Sequence, residues 1–141
     1  MLLYLDTSSL VKLFIEEAHS NQVRSWVDAV DFVLTCRVAY AEAVAAFSRR
    51  HREGTLKPAD YRGVVQAFDK QWASFGRLEF DERVAGQLAA KHALRGFDAI
   101  HLSAARMLML EARGTSVVFS SFDDRLNRAA ERENLTVLHP S

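Results

Sequence analysis

Apolar residues gather in five short runs along the chain, at Leu2–Leu5, Phe32–Thr35, Leu78–Phe80, Val117–Phe119 and Leu135–Leu138. Runs of this length, bounded by polar or turn-forming residues, suit strands buried on both faces. Between them the apolar positions recur at helical spacing. Helices are expected over Ser8–Glu17, over Asn21–Val30 around Trp26, and in a long segment that ends in Arg49-Arg50-His51-Arg52-Glu53 with Gly54 as its stop. Pro58 opens the next helix, which runs to about Phe75 with Gly76 behind it. Asp81 can cap a helix ending near Gly96, Asp98 begins a strongly apolar helix through Met107-Leu108-Met109-Leu110 to Gly114, and Asp124–Glu133 forms the last.

Strands alternating with helices predict an α/β chain with a mostly parallel central sheet of four to five strands, covered by helices on both faces. No linker, repeat or low-complexity segment interrupts the 141 residues, so one domain spanning 1–141 is expected.

One residue breaks this pattern. Glu42 sits in the run Val38-Ala39-Tyr40-Ala41-Glu42-Ala43-Val44-Ala45-Ala46-Phe47, and its helical neighbours Val38, Ala39, Ala45 and Ala46 are all apolar. None can pair with it. An ionised carboxylate on an apolar helix face is costly unless a cation meets it. Either it points to water, or it faces a cation supplied from outside the chain.

Three aspartates bear on that choice. Asp6 ends the first strand, Asp98 begins a helix and Asp123 closely follows the fourth strand. In open parallel sheets, ligands collect at the carboxyl ends of the strands, where these three acids and Glu42 can converge. Each aspartate on its own can be only a helix cap, whereas Glu42 lies too far into its helix to cap it. Two like charges about 4 Å apart repel by roughly 4 kcal/mol at an effective dielectric of 20. Four such groups need a divalent cation or must hold protons. Oxygen ligands without His or Cys favour Mg²⁺, with Mn²⁺ possible in its place, over zinc. Such a site polarises a phosphate and activates water, the equipment for phosphodiester hydrolysis.

Charge alters this picture little. The 18 Lys and Arg balance the 18 Asp and Glu, which argues against a chain held to nucleic acid by bulk charge alone. Setting the four acids aside leaves 18 cations against 14 anions, a mildly basic remainder. Cys36 is the only cysteine, which excludes an internal disulfide and a thiolate zinc site and suits a reducing cytoplasm. Leu2–Leu5 is too short for a signal-peptide core, and every apolar stretch is broken by charge well short of a membrane span. A cytoplasmic protein with no membrane association is expected.

Four motifs in series, Leu5-Asp6-Thr7-Ser8, the helix Glu42, Arg95-Gly96-Phe97-Asp98-Ala99-Ile100-His101-Leu102-Ser103-Ala104-Ala105 and Ser121-Phe122-Asp123-Asp124-Arg125-Leu126, resemble a PIN domain. More narrowly, the whole chain resembles a VapC-type ribonuclease toxin of a type II toxin–antitoxin pair. The resemblance implies a three-layer α/β/α fold and a Mg²⁺-dependent endoribonuclease. Asp6 and Asp98 match the acids of the principal metal site, Glu42 the helix glutamate that completes it, and Asp123 the fourth acid. Asp124 competes for that last place, but Asp123 keeps the spacing to Leu126 and leaves Ser121 two residues ahead. Ser8 and Ser121 fall where such domains place a hydroxyl that orients an acid or a metal-bound water. The family further implies tRNA or ribosomal RNA as substrate, 5′-phosphate and 3′-hydroxyl products, a homodimer and a cognate antitoxin.

Other residues carry weaker signals. His101, one turn beyond Asp98, can face the site but is more often a satisfied structural residue. In the Arg49–Arg52 cluster, Arg49 shares a face with Glu42 and is the RNA-contact candidate, while the rest suit a solvated helix end. Lys12 and Arg95 are lesser candidates of the same kind. Trp26, Trp72 and the Met107–Leu110 stretch read as core or subunit contact, and Cys36 as an inert buried thiol. Three readings compete with the toxin: a standalone RNA-processing PIN nuclease, a non-catalytic RNA- or protein-binding module of the same fold, and a phosphatase with Asp6 as nucleophile. The last ordinarily wants a second Asp where this chain has Ser8.

Overall fold

Leu3 and Leu5 face one side of the first strand and Tyr4 the other, as the two-residue period of extended backbone requires. This strand, β1 (Leu2–Leu5), is the centre of the sheet in the computed structural model, which describes residues 1–141. The other strands are β2 (Phe32–Cys36), β3 (Gly76–Leu78), β4 (Val117–Ser120) and β5 (Thr136–Val137). All pairings are parallel, in the order β3-β2-β1-β4-β5. Parallel neighbours need crossovers, and helices supply every one.

Four helices, α1 (Thr7–Val11), α2 (Ser20–Asp28), α3 (Ala39–Arg52) and α4 (Pro58–Trp72), cover the face of Leu3 and Leu5. Leu10, Val23, Ala43, Phe47 and Phe68 fill that half of the core. The opposite face is covered by α5 (Glu82–His92), α6 (Gly96–Glu111) and α7 (Asp124–Arg132). There Tyr4 stacks on Phe119 with ring centroids 5.7 Å apart, under Leu102, Leu126 and Ala129. The result is the three-layer α/β/α arrangement expected, with five strands. No helix is long and apolar enough to cross a membrane.

Several boundaries differ from the sequence reading by a few residues, three of them for an identifiable packing reason. The first helix stops at Val11 instead of Glu17, because the chain tightens into turns in which Leu13 and Phe14 bond back three residues. That sets Phe14 edge-on against Phe47 and Phe68. The third strand begins at Gly76, two residues early, where it pairs with Leu34. A Cβ at Gly76 would stand 2.7 Å from Leu34 Cδ2, so a larger residue there would have to push the Leu34 side chain aside. The fifth helix ends at His92, where Ala93 takes a left-handed conformation (φ 52°) and Leu94 turns into the core.

Candidate active site

β2 and β3 lie to one side of β1, while β4 and β5 lie to the other, so the winding of the sheet reverses between β1 and β4. Crevices open at the carboxyl edge of such reversal points. Asp6 is the first residue beyond β1, and Ser121 the first beyond β4. Glu42 enters from the first turn of α3 and Asp98 from the first turn of α6. All four acids, Asp6, Glu42, Asp98 and Asp123, line one cavity of about 380 Å³ at this edge.

Asp6 is the most enclosed of them, 4 % exposed. One carboxylate oxygen accepts hydrogen bonds from Ser8 Oγ at 2.7 Å and from the Ser9 backbone N–H at 3.0 Å, and the other accepts from Ser121 Oγ at 2.6 Å. The Ser9 bond makes Asp6 the cap of α1 as well. Both hydroxyls are fixed from behind: Ser8 Oγ accepts the Phe122 N–H at 2.9 Å, and Ser121 Oγ accepts the Asp123 N–H at 3.0 Å. Asn127, unnoticed in the sequence, donates its amide to the Ser121 carbonyl at 2.8 Å and anchors that loop to α7. Burial pushes the Asp6 carboxyl above the ordinary range, against the opposing pull of His101 and the three hydrogen bonds.

Glu42 finds a partner that the sequence reading did not offer as its neutraliser. Its Oε1 accepts from Thr7 Oγ1 at 2.7 Å and lies 2.8 Å from Nε2 of His101. The other ring nitrogen, Nδ1, lies 2.7 Å from the Tyr4 hydroxyl. Burial holds the Tyr4 phenol well above its usual pKa, so it carries its proton and donates to Nδ1. Nε2 then bears the hydrogen that meets Glu42, which fixes the tautomer by its partners. Burial raises the Glu42 pKa, but the hydrogen bonds from His101 and Thr7, with the charge His101 carries when its ring is protonated, outweigh it and leave the carboxyl below the ordinary range. Glu42 therefore faces the imidazole of α6, a third answer beyond water or an external cation.

Asp98 and Asp123 share a cation from their own chain. Arg95 Nε donates to Asp98 Oδ2 at 3.0 Å, and Arg95 Nη2 to Asp123 Oδ2 at 3.2 Å. Asp123 caps α7 through its other oxygen, bonded by the Leu126 N–H at 3.0 Å. Asp98 caps nothing, because the N-cap of α6 is Arg95. The capping reading thus holds for two of the three aspartates, and each still turns an oxygen toward the cavity wall. The sequence marks Arg95 only as a lesser phosphate contact; its position three residues before Asp98 is the signal for this pairing.

Whether these residues suit a metal follows from their chemistry. The acids surround the cavity without any three of the chain's His, Cys, Asp or Glu side chains forming a ready-made ligand cluster. Arg95 bridges two of these acids. His101 spends Nε2 on Glu42, so the donors left facing the cavity are oxygens. An all-oxygen set with a buried, unpaired Asp6 charge fits a hard divalent cation.

The far wall is basic. Lys12 bonds one oxygen of Glu17 at 3.0 Å and Arg50 grips the other, so both cations are held at the cavity beside Arg49. Arg50 is therefore paired instead of merely solvated at the helix end. Trp26 stacks on Phe122, Trp72 packs against Phe68, and Cys36 is buried with its thiol pushed up by burial. None of these three reaches the acids.

The PIN domain family model matches residues 3–132. The chain belongs to the PIN-domain family. Among its relatives is Ribonuclease VapC45 of Mycobacterium tuberculosis, 33% identical over 132 residues, which cover 92% of this chain and 89% of the relative. Solved PIN-fold neighbours include FitAcB from Neisseria gonorrhoeae, with a TM-score of 0.67 at 14% identity, covering 99% of this chain and 98% of that one. VapBC-1 from nontypeable Haemophilus influenzae matches with a TM-score of 0.66 at 14% identity, covering 98% and 97%. The chain is a VapC-like PIN domain.

Proposed function

We propose that this PIN domain is a divalent-cation-dependent endoribonuclease, the toxin of a type II toxin–antitoxin pair, with Asp6, Glu42, Asp98 and Asp123 as its catalytic acids. One observation carries the reading: acids from four separate elements line a single cavity at the reversal point of the sheet, together with Lys12, Arg49 and Arg50. Mg²⁺ or Mn²⁺, bound there, would supply Lewis acidity toward a phosphate oxygen and lower the pKa of a water.

The chain's own residues do the positioning. Ser8, Ser121 and the Ser9 amide pin Asp6, while Thr7 and His101 pin Glu42, so neither carboxylate can swing away. Fixed ligands of this kind need no reorganisation when substrate arrives. A cation held by Asp98 and Asp123 would compete with Arg95 for their oxygens. Arg49, Lys12 and Arg50 neutralise phosphates on either side of the reacting one, which sets the strand in register without reading its bases. In-line attack of water on phosphorus expels the 3′-oxygen and leaves 5′-phosphate and 3′-hydroxyl ends.

Likeness to the VapC ribonuclease supports RNA, in the family's pattern tRNA or ribosomal RNA, as substrate. The fold shared with VapBC-1 supports a cognate antitoxin as partner; a homodimer working in the cytoplasm belongs to the same proposal. The test is incubation of the purified chain with total cellular RNA in Mg²⁺, in EDTA, and as Asp98→Asn. Cleavage is expected only from the wild type with metal. Equal cleavage by Asp98→Asn would refute the assignment.

A further inference from the structure

Phe97 is the second residue of α6, directly before Asp98, and its side chain is 56 % exposed. Ala99 and Leu102 of the same helix are buried, so α6 meets the core with another face and the phenyl ring stands clear of it. Leaving so large an apolar side chain in water forfeits burial energy. The other exposed large apolar residues lie elsewhere: Met1 and Phe32 at the amino-terminal edge of the sheet, Leu110 at the far end of α6. Phe97 alone stands among the acids.

Phe97 lines two hollows that both reach Glu42. One, about 470 Å³, is completed by Arg95, Gly96, Asp98 and Ile100. The other, about 350 Å³, is completed by Ala45, Ala46, Arg49 and Arg52. Arg49 and Arg52 form no ion pair within the chain. An aromatic side chain beside Asp98, with two guanidinium groups free of ion pairs in the adjoining hollow, matches the parts of one unpaired nucleotide. Its base has a π-face for the ring, and its phosphates suit the arginines. A duplex keeps its base faces stacked internally and offers none to Phe97. An apolar protein partner would leave Arg49 and Arg52 uncompensated.

We infer that Phe97 is the stacking platform for one unpaired nucleobase flanking the scissile phosphate, and that it thereby restricts cleavage to single-stranded positions. The inference rests on the ribonuclease reading above. Cleavage sites of the wild-type chain are first mapped on total cellular RNA in Mg²⁺ by sequencing the new ends. A short RNA spanning one site is then prepared intact and with an abasic residue on either side of the cut. Wild type, Phe97→Ala and Phe97→Tyr are compared on all three.

On intact RNA, Phe97→Ala is expected to lower kcat/KM about tenfold, the scale of base–aromatic stacking, while Phe97→Tyr keeps the wild-type value. One abasic RNA should slow the wild type by a similar factor and Phe97→Ala no further, since ring and base act as one unit. Equal kcat/KM for wild type and Phe97→Ala on intact RNA, or losses that multiply independently, overturns the inference. So does a Phe97→Ala chain that cuts normally but no longer self-associates in sedimentation, which assigns the ring to a protein contact. A wild-type chain that cuts no RNA fails at the mapping step; the ribonuclease reading then falls first and carries this one with it.

Discussion

Nε2 of His101 on α6 lies 2.8 Å from Oε1 of Glu42 on α3, and this one bond ties together the two helices that bring Glu42 and Asp98 to the cavity. The imidazole is 1 % exposed and also accepts from Tyr4. His101→Ala removes both bonds and leaves the Tyr4 hydroxyl and Glu42 short of a partner in a buried setting. Unfolding in urea should show a loss of about 2–3 kcal/mol. RNA cleavage should fall about 10- to 100-fold, as for partners that orient metal ligands. His101→Gln, whose amide can still donate to Glu42, should recover part of the activity. Wild-type cleavage by His101→Ala would mean that Glu42 needs no orientation.

Asp6 makes an opposite kind of prediction. Burial raises its folded pKa above the unfolded value, so the fold binds that proton more tightly than the unfolded chain does. The cost of holding the charge is therefore full at neutral pH and disappears below the ordinary aspartate value of about 3.9. Asp6→Asn keeps an acceptor for Ser9 and Ser8 without a charge to desolvate. In EDTA at neutral pH the variant should melt at or above the wild-type Tm, and the gap should close toward acid pH. Mg²⁺ should raise the wild-type Tm and raise that of Asp6→Asn much less. A variant clearly less stable than wild type in EDTA would show that Asp6 serves the fold before the site.

Much of this was legible in the sequence, and for a physical reason. Strands buried on both faces must be apolar throughout, so β1, β2 and β4 announced themselves, and the acids that follow strands or open helices landed at one edge because parallel sheets have one carboxyl edge. Glu42 stood out because its neighbours in sequence could not satisfy it. What satisfied it was unreadable for the same reason: His101 is 59 residues away, and only the docking of α6 beside α3 brings them together. Thr7 and Tyr4 were hidden likewise, since a hydroxyl in a strand or first turn looks ordinary until its partner is known. β3 was misplaced because Leu78 and Phe80 are apolar for the sake of the core, whereas pairing is set by the close approach at Gly76.

Glu17 carries a pH dependence of the other sign. Burial raises its pKa, but the Lys12 and Arg50 bonds and charges outweigh it and hold the carboxyl below the ordinary glutamate range. Its stabilisation is present above the unfolded value of about 4.3 and is lost as pH falls through the depressed folded value. Glu17→Gln should therefore lose stability at neutral pH, by about 1 kcal/mol for two partly exposed pairs, and the difference should shrink as pH falls through the depressed folded value. Urea midpoints across an acid pH series check this. Glu17→Gln also removes the anion that competes with phosphate for Lys12 and Arg50, so KM for RNA should fall with kcat little changed. A pH-independent difference in stability would mean that Glu17 acts by packing instead of by charge.

Arg95 gives the sharpest test of how the site changes state. Its guanidinium bridges Asp98 and Asp123, yet it is 78 % exposed, so each ion pair is worth only a few tenths of a kcal/mol to about 1 kcal/mol. That is enough to hold two acids near each other without a cation and too little to keep a divalent cation out. Removing the side chain removes the competitor, and a difference of about 1 kcal/mol is roughly fivefold in affinity. Arg95→Ala should therefore bind Mg²⁺ about fivefold more tightly by calorimetry in the absence of RNA, with the larger difference at low salt, where the ion pairs are strongest. If Arg95→Ala binds Mg²⁺ more weakly, the guanidinium aligns the two acids instead of covering them. An unchanged affinity would instead mean that Asp98 and Asp123 meet the cation through oxygens that Arg95 never touches.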